Sequence, residues 1–328
     1  MVLIAGAGMA GLVCAARLRQ LGRRPRVIEK GTRAGGSMLL SSCVIWRHRD
    51  FDAFRTDCPD GDPALQRRIW ERLDDALAWL ISLGAEPVWD DTENPLTTGK
   101  RFDPRELTQL LACDVELETP LTPDAEPPLV LACGGFGRRL AEERGLLLRA
   151  NAWSDGAALD YALPRGGRTT QGMEQFYGRV MPAPPARIRE QDFVPLAQLY
   201  GAHAQVLTDD GTDITPPHVA WHENDLANLI GPRAWYVVDR PNERIEAARA
   251  AGATVVERDD GRIAVHVAAA VTHTIGGLVV DPNARVAGLE GVWAVGVDAG
   301  GVATGGYASG FAQALVLGLA AAEDLAAQ

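Results

Sequence analysis

One histidine, His273, stands between two threonines and runs straight into a glycine pair, in VTHTIGGLVVD at 271–281. An imidazole titrates near neutral pH, so in a pocket it donates a hydrogen bond or takes a proton, and in an apolar core it is a satisfied structural side chain. Near the start of the chain, Gly6, Gly8 and Gly11 form a GxGxxG string in GAGMAG, and an acid, Glu29, follows 18 residues after Gly11. These residue types at this spacing suit a dinucleotide. Gly6 allows a tight turn, Gly8 lets backbone N–H groups approach a pyrophosphate, and Gly11 lets a helix pack closely on a strand. A carboxylate at Glu29 accepts hydrogen bonds from an adenosine ribose and disfavours a 2′-phosphate.

The elements around these residues agree with that chemistry. VLIA (2–5) reads as a short buried strand, LVCAARLRQLG as a helix ending at Gly22, and RPRVIE (24–29) as a second strand closing on the acid. A third strand, in LVLACGGFG (129–137), ends on a glycine pair, and a fourth, in LEGVWAVGVD (289–298), ends on Gly296 and Asp298. The segment after Asp298 starts glycine-rich and becomes a long apolar helix, so the first amides of that helix would point at a ligand. Residues 63–83 read as a helix, and 239–265 have room for one helix between Pro241 and Gly252. The proline-rich stretch TPLTPDAEPP (119–128) reads as a link with no room for strands.

Composition narrows the class further. With 328 residues, 47% of them apolar, the chain suits one large or two ordinary domains. Its net charge is −11 and it has no basic block, which argues against a nucleic-acid partner. Five cysteines, with no CxxC pair, form neither a disulfide framework nor a zinc site, and no metal site is expected; a reducing cytoplasm is the simple reading. The apolar start lacks a basic segment before it and is not read as a signal peptide; the apolar run at 311–322 is too short to span a bilayer.

GAGMAG, Glu29, AGGSMLLSSCVIW (34–46), LACGGF (131–136), NAWSDGAALDYAL (151–163), VTHTIGGLVVD and GVWAVGVDAGG (291–301) occur in order along nearly the whole chain. In this the chain resembles the FAD-binding flavoproteins of the fumarate reductase, succinate dehydrogenase and 3-ketosteroid dehydrogenase group. The resemblance implies an α/β fold: a Rossmann-type FAD-binding domain (1–165 and 265–328) split by a smaller inserted α+β cap, or substrate, domain (166–264). It implies FAD, held non-covalently. The ADP half would lie on Gly6, Gly8, Met9, Ala10, Gly11, Glu29 and Lys30, with Cys133, Gly134 and Asp155 nearby. Gly35, Gly36, Ser37 and Ser41 would lie by the flavin. Gly276, Gly277, Gly296, Gly306 and Ala308 would complete the isoalloxazine side, with Asp298 as the nearest acid for the ribityl chain; many relatives have Glu where Val297 stands. The cap is trimmed relative to the group, which suggests a more open site or one finished by a partner chain.

The same resemblance shows what has been lost. Tyr307 stands where fumarate-type members carry one substrate-binding arginine, and Trp221, with His222 beside it, stands near the place of the second. Guanidinium forks match carboxylates, so a dicarboxylate substrate is disfavoured, although Arg179, Arg187 or Arg233 could compensate. GGYASG resembles the tyrosine-bearing turn of ketosteroid enzymes, whereas THTIGG keeps the substrate-contacting histidine of the fumarate type. The candidate catalytic residues are therefore His273 and Tyr307, with Tyr177, Trp221 and His222 on the cap side. The expected function is an FAD-dependent dehydrogenase or oxidase, moving hydride from a carbon next to a carbonyl of a neutral or weakly polar small molecule to flavin N5. An FAD monooxygenase supplied by an external reductant is the alternative, and a non-catalytic flavin-binding subunit the third reading. Only one nucleotide fingerprint appears, so the electron acceptor is expected to be external: oxygen, a quinone or a redox protein. Homo-oligomer formation is compatible with the sequence, and no membrane span is expected.

Overall fold

The computed structural model describes all residues except 113, 198–202 and 220–222. It opens as the sequence requires, with β1 (Val2–Ala5), α1 (Met9–Gln20) and β2 (Pro25–Ile28). β3 (Val44–His48), α2 (Phe51–Asp57), α3 (Pro63–Ser82), β4 (Pro87–Trp89), β5 (Thr97–Phe102) and α4 (Pro104–Leu111) follow. The helix starts in this stretch are written in the sequence. Asp50, Asp62 and Asp103 each accept two amide N–H groups of the turn they precede, and Pro63 and Pro104 occupy first positions where no N–H is needed. Then come β6 (Val115–Glu116), β7 (Leu129–Leu131), α5 (Gly137–Arg144), β8 (Leu147–Leu148) and α6 (Ala157–Ala162). β9 (Phe176–Pro182), β10 (Gln205–Leu207), α7 (Asn224–Ile230), β11 (Ala234–Val238), α8 (Glu243–Ala250), β12 (Val255–Glu257) and β13 (Ile263–Thr274) form the next block. β14 (Val292–Ala294) and α9 (Gly310–Ala326) end the chain.

The chain divides into two compact units. The first comprises Met1–Phe136, Trp153–Gln175 and His273–Gln328, and the second Gly137–Ala152 and Phe176–Thr272. The inserted unit thus begins at 176 rather than 166 and ends at 272 rather than 264, and it also takes in 137–152, which the sequence reading left in the nucleotide domain. The reason is pairing: β8 runs parallel to β13, with Ala270 opposite Leu147. Such a bond across more than a hundred residues leaves no local mark in the sequence.

In the first unit a parallel sheet runs in the order β14–β7–β1–β2–β6. β1 and β7 are continuous apolar runs, as strands covered on both faces are. Leu129, Val130 and Leu131 are fully buried, as are Leu12 and Leu18 of α1 and Leu315 and Leu317 of α9. Burying each such leucine contributes about 1.5–3 kcal/mol. A separate antiparallel sheet, β3–β5–β4, pairs Ile45 with Lys100 and Trp46 with Gly99. The proline-rich stretch 119–128 holds no strand, as expected.

The second unit is built on the sheet order β10–β11–β13–β12, with β8 and β9 also pairing β13. Its core gathers Val180, Val206, Leu226, Tyr236, Ile245, Val265 and Val267, all buried. The helix expected between Pro241 and Gly252 is α8, capped by the Asn242 side chain.

The glycine turn after β1 depends on backbone touching backbone. A Cβ on Gly11 would lie 2.0 Å from the Gly6 carbonyl oxygen, and one on Gly6 would lie 2.0 Å from the Ala132 oxygen. Gly11→Ala is therefore expected to cost at least about 1–3 kcal/mol of unfolding free energy. Urea unfolding without added ligand measures it, and an unchanged midpoint would refute this account of the turn.

Candidate functional site: a nucleotide groove and a histidine–tyrosine pair

Three glycine-bearing turns of the first unit meet at the carboxyl ends of the parallel strands, where open α/β sheets bind ligands. The first follows β1. Gly6 has φ +110°, a left-handed value that favours glycine. Gly8 begins α1 without a capping side chain, and a Cβ built on it meets no atom within 4 Å. The start of α1 is thus uncapped and open at position 8, at the positive end of the helix dipole, which suits a pyrophosphate. Gly6 makes the turn, position 8 is open, and Gly11 lets the helix pack on the strand.

Glu29, just past the end of β2, is buried at 6% exposure. Its carboxylate accepts the Ala7 N–H at 2.8 Å and the Gly31 N–H at 2.7 Å. A carboxylate has about four acceptor positions, so these bonds orient it and leave capacity for ribose hydroxyls. Beside it, Lys30 pairs with Asp155, and the Trp153 ring lies against Gly31, 2.3 Å from where a Cβ would sit. Gly35 joins the same turn through its N–H to the Ala7 oxygen at 2.7 Å and leads into a 3-10 turn over Gly36–Leu40 that includes Ser37.

The second turn follows β7 and the third follows β14, and a single acid ties them together. Asp298, 2% exposed, accepts the Gly134 N–H at 3.0 Å and the Gly135 N–H at 2.9 Å. Burial pushes its carboxyl up to about 6, against the pull of those amides. The third turn is held in turn by Gln313 of α9, whose amide donates to the Gly296 and Ala299 oxygens at 2.7 and 2.6 Å. Gly296 packs against Ala10 at the start of α1, where a Cβ added to it would lie 3.1 Å from the Ala10 Cβ. The Cys133 thiol donates to the Ala5 oxygen at 3.5 Å, and burial raises it well above the usual thiol range.

Other expected cofactor positions have a structural reason of their own. The Ser41 hydroxyl donates to the Met38 oxygen and accepts the Cys43 N–H, closing its own turn. A Cβ on Gly276 would strike the Met173 backbone at 2.7 Å, one on Gly277 the Asp298 oxygen at 2.7 Å, and one on Gly306 the Asp57 oxygen at 1.6 Å. Glycine at these places permits chain to pass over chain. Ala308 is buried beside the cap of α9.

The candidate catalytic pair also forms within the first unit. The His273 and Tyr307 rings lie 6.4 Å apart, both half-buried. His273 Nδ1 lies 3.1 Å from the Thr274 oxygen. A carbonyl only accepts, so Nδ1 carries the proton and Nε2 is the basic nitrogen. Nε2 faces the start of α9, 3.0 Å from where a Cβ on Gly310 would sit. Desolvation lowers the imidazole to about 4, so at neutral pH it is uncharged, a base and acceptor rather than a donor at Nε2. Beside it, the Thr274 hydroxyl is buried with no hydrogen-bond partner.

Sequence reasoning missed two neighbours. Trp46 presents its edge to Tyr307 at 5.6 Å, and His48 lies 5.3 Å from Trp46 on the same face of β3. The signal was present as alternation in VIWRH (44–48), directly after the Gly35–Ser37 segment. Tyr177 lies on β9 of the second unit, buried at 6%, with the Arg179 guanidinium 5.6 Å from its ring centre. Trp221 and His222 fall outside the described residues. Among the described residues no cluster of His, Cys, Asp and Glu could hold a metal ion, and no helix is long and apolar enough to cross a membrane.

Residues 4–42 match the NAD(P)-binding Rossmann-like domain family. No curated protein matches the chain by sequence. Among solved structures, the open conformation of a flavocytochrome c3 fumarate reductase superimposes with a TM-score of 0.75 at 18% identity, covering 100% of this chain and 78% of that one. A 3-ketosteroid Δ1-dehydrogenase from Sterolibacterium denitrificans gives 0.72 at 14% identity, covering 99% of each chain. A 3-ketosteroid Δ4-(5α)-dehydrogenase from Rhodococcus jostii RHA1, in complex with 4-androstene-3,17-dione, gives 0.67 at 16%, covering 100% and 96%. The chain has the fold of the fumarate reductases and ketosteroid dehydrogenases. Within that fold the open first turn of α1 and the oriented carboxylate at Glu29 fit a dinucleotide.

Two measurements check the groove. Gly8→Ala should leave stability within about 0.5 kcal/mol, since the position is open and its φ of −76° suits alanine, yet weaken dinucleotide binding at least about tenfold. Titration calorimetry on protein freed of ligand would show it. Asp298 is ionised more readily in the unfolded chain, where its value is 3.8, than in the fold, where it is about 6. The fold is therefore not penalised below pH 4 and loses about 3 kcal/mol as pH rises through 6, at about 1.4 kcal/mol per unit. In Asp298→Asn that loss should vanish, so the stability of the parent minus that of the variant should fall by about this amount from pH 4 to 7. A difference independent of pH would show that Asp298 ionises normally.

Proposed function

We propose that the protein is an FAD-dependent dehydrogenase or oxidase acting on a neutral or weakly polar carbonyl compound. The observation that carries this reading is the uncharged His273 imidazole beside the Tyr307 phenol, on the same unit as the nucleotide groove. Neither group is cationic at neutral pH, so the pair suits a carbonyl better than a dicarboxylate. In this reading the Gly6–Gly11 turn and Glu29 take the ADP half of the cofactor, with Gly35, Gly134 and the Gly296–Asp298 turn toward its other end. A bound flavin supplies an acceptor for a hydride equivalent from a substrate carbon.

The protein's own contribution is orientation and proton traffic. The Tyr307 hydroxyl donates to a substrate carbonyl and acidifies the neighbouring C–H. His273 Nε2 receives the proton that leaves that carbon, since its other nitrogen is already committed to the Thr274 oxygen. Tyr177, Trp221 and His222 remain candidates for the substrate side of the inserted unit. The electron acceptor in this reading is oxygen, a quinone or a redox protein, and the substrate class draws support from the steroid dione bound to one structural relative.

The purified protein should carry a flavin-type visible spectrum that remains in solution after denaturation and removal of the protein. Anaerobic mixing with neutral carbonyl compounds, 4-androstene-3,17-dione among the first, should bleach it, whereas fumarate should not reoxidise the reduced form. Tyr307→Phe and His273→Ala should each slow bleaching about 10²–10⁴-fold, the usual contribution of positioned acid–base groups. Unchanged rates in both variants would remove the site assignment and leave the fold intact.

A further inference from the structure

Tyr307 is gripped from behind by residues that the proposed chemistry does not use. Its ring meets the edge of Trp46 at 5.6 Å and 62°. Its backbone N–H is directed at the Cys58 sulfur, just past the end of α2. The preceding residue, Gly306, lies so close to α2 that a Cβ there would fall 1.6 Å from the Asp57 carbonyl oxygen. Trp46 in turn rests edge-on against His48 at 5.3 Å, and His48 stacks on Phe54 at 5.1 Å and 15°.

His48 is 4% exposed, an expensive place for an imidazole unless its nitrogens are bonded. Its Nε2 lies 2.8 Å from the Asp57 carboxylate, which only accepts, so Nε2 donates and the plane of the ring is set. The Asp57 side chain is 60% exposed and keeps its hydration, so the pair avoids burying a charge. Phenylalanine would fill the same space without needing a partner. An imidazole held by an acid instead specifies one ring orientation, and that orientation is the surface on which Trp46 rests. Asp57 thus reaches Tyr307 twice, by its side chain through His48 and Trp46, and by its carbonyl through Gly306.

We propose that His48 and Asp57 are positioning residues for Tyr307, acting through Trp46 and the end of α2. The catalytic importance of this rests on the reading of Tyr307 given above, but the positioning itself is measurable without a substrate. In protein carrying ring-¹³C tyrosine, the Tyr307 resonance is identified among five tyrosines by its loss in Tyr307→Phe. In Asp57→Ala and His48→Phe it shifts by more than a line width, while that of Tyr161, bonded to the Ala125 oxygen elsewhere in the unit, stays in place. Asp57→Asn retains an oxygen acceptor for Nε2 and restores the parent position. A Tyr307 resonance unmoved in Asp57→Ala overturns the proposal. Should His48→Phe fold poorly, Asp57→Ala, altered at an exposed side chain, decides alone. Unimpaired flavin bleaching in Tyr307→Phe would instead sink the catalytic reading and leave the positional result standing.

Discussion

The closest constraint in the molecule is steric. Gly11, Gly6 and Ala132 bring the start of α1, the end of β1 and the end of β7 within backbone contact, with no room for a single extra carbon at either glycine. That contact aims the amino end of α1 along the ends of the parallel strands. Glu29 and Gly35 then attach to the same turn by hydrogen bonds to the two polar atoms of Ala7. The groove is a consequence of three chain segments approaching as nearly as covalent geometry permits.

Asp298 performs the corresponding task at the far side by electrostatics. Two glycine amides in left-handed conformations converge on one buried carboxylate, joining the turns after β7 and β14. The arrangement is costly when the acid is charged, since desolvation outweighs the amide bonds. Strain of this kind is common where a protein holds backbone in a fixed shape for a ligand, and it is sustained by the apolar packing of α1, α9 and the sheet.

Legibility followed range. The GAGMAG turn, the acid at Glu29, α3 and α8 were readable because each depends on residues a few positions apart: a glycine, a cap, an apolar stripe. The strand ends bearing the Gly134 and Asp298 turns were readable for the same reason. The pairing of β3 with β5 was not, because the two strands find one another across two helices, and with it went Trp46 and His48. The division of the chain was misplaced where β8 joins β13, again a distant pairing. Gly276, Gly277 and Gly306 were recognised as special, and at each of them the chain crosses another segment too closely for any side chain. A glycine in a sequence announces that space is short without saying what occupies it.

One contrast among the helix starts carries a consequence for the behaviour of the whole molecule. In the first unit α2, α3, α4 and α9 are capped by Asp50, Asp62, Asp103 and Ser309, while α1 and α6 begin on bare glycines. A missing cap is worth about 1 kcal/mol, and at α1 the absent acceptor is one that a diphosphate would provide. The empty protein should accordingly exchange the amide hydrogens of that turn for deuterium quickly, and lose them to protection only as ligand accumulates. Its melting point becomes a matter of mass action, rising with free nucleotide concentration rather than holding a single value.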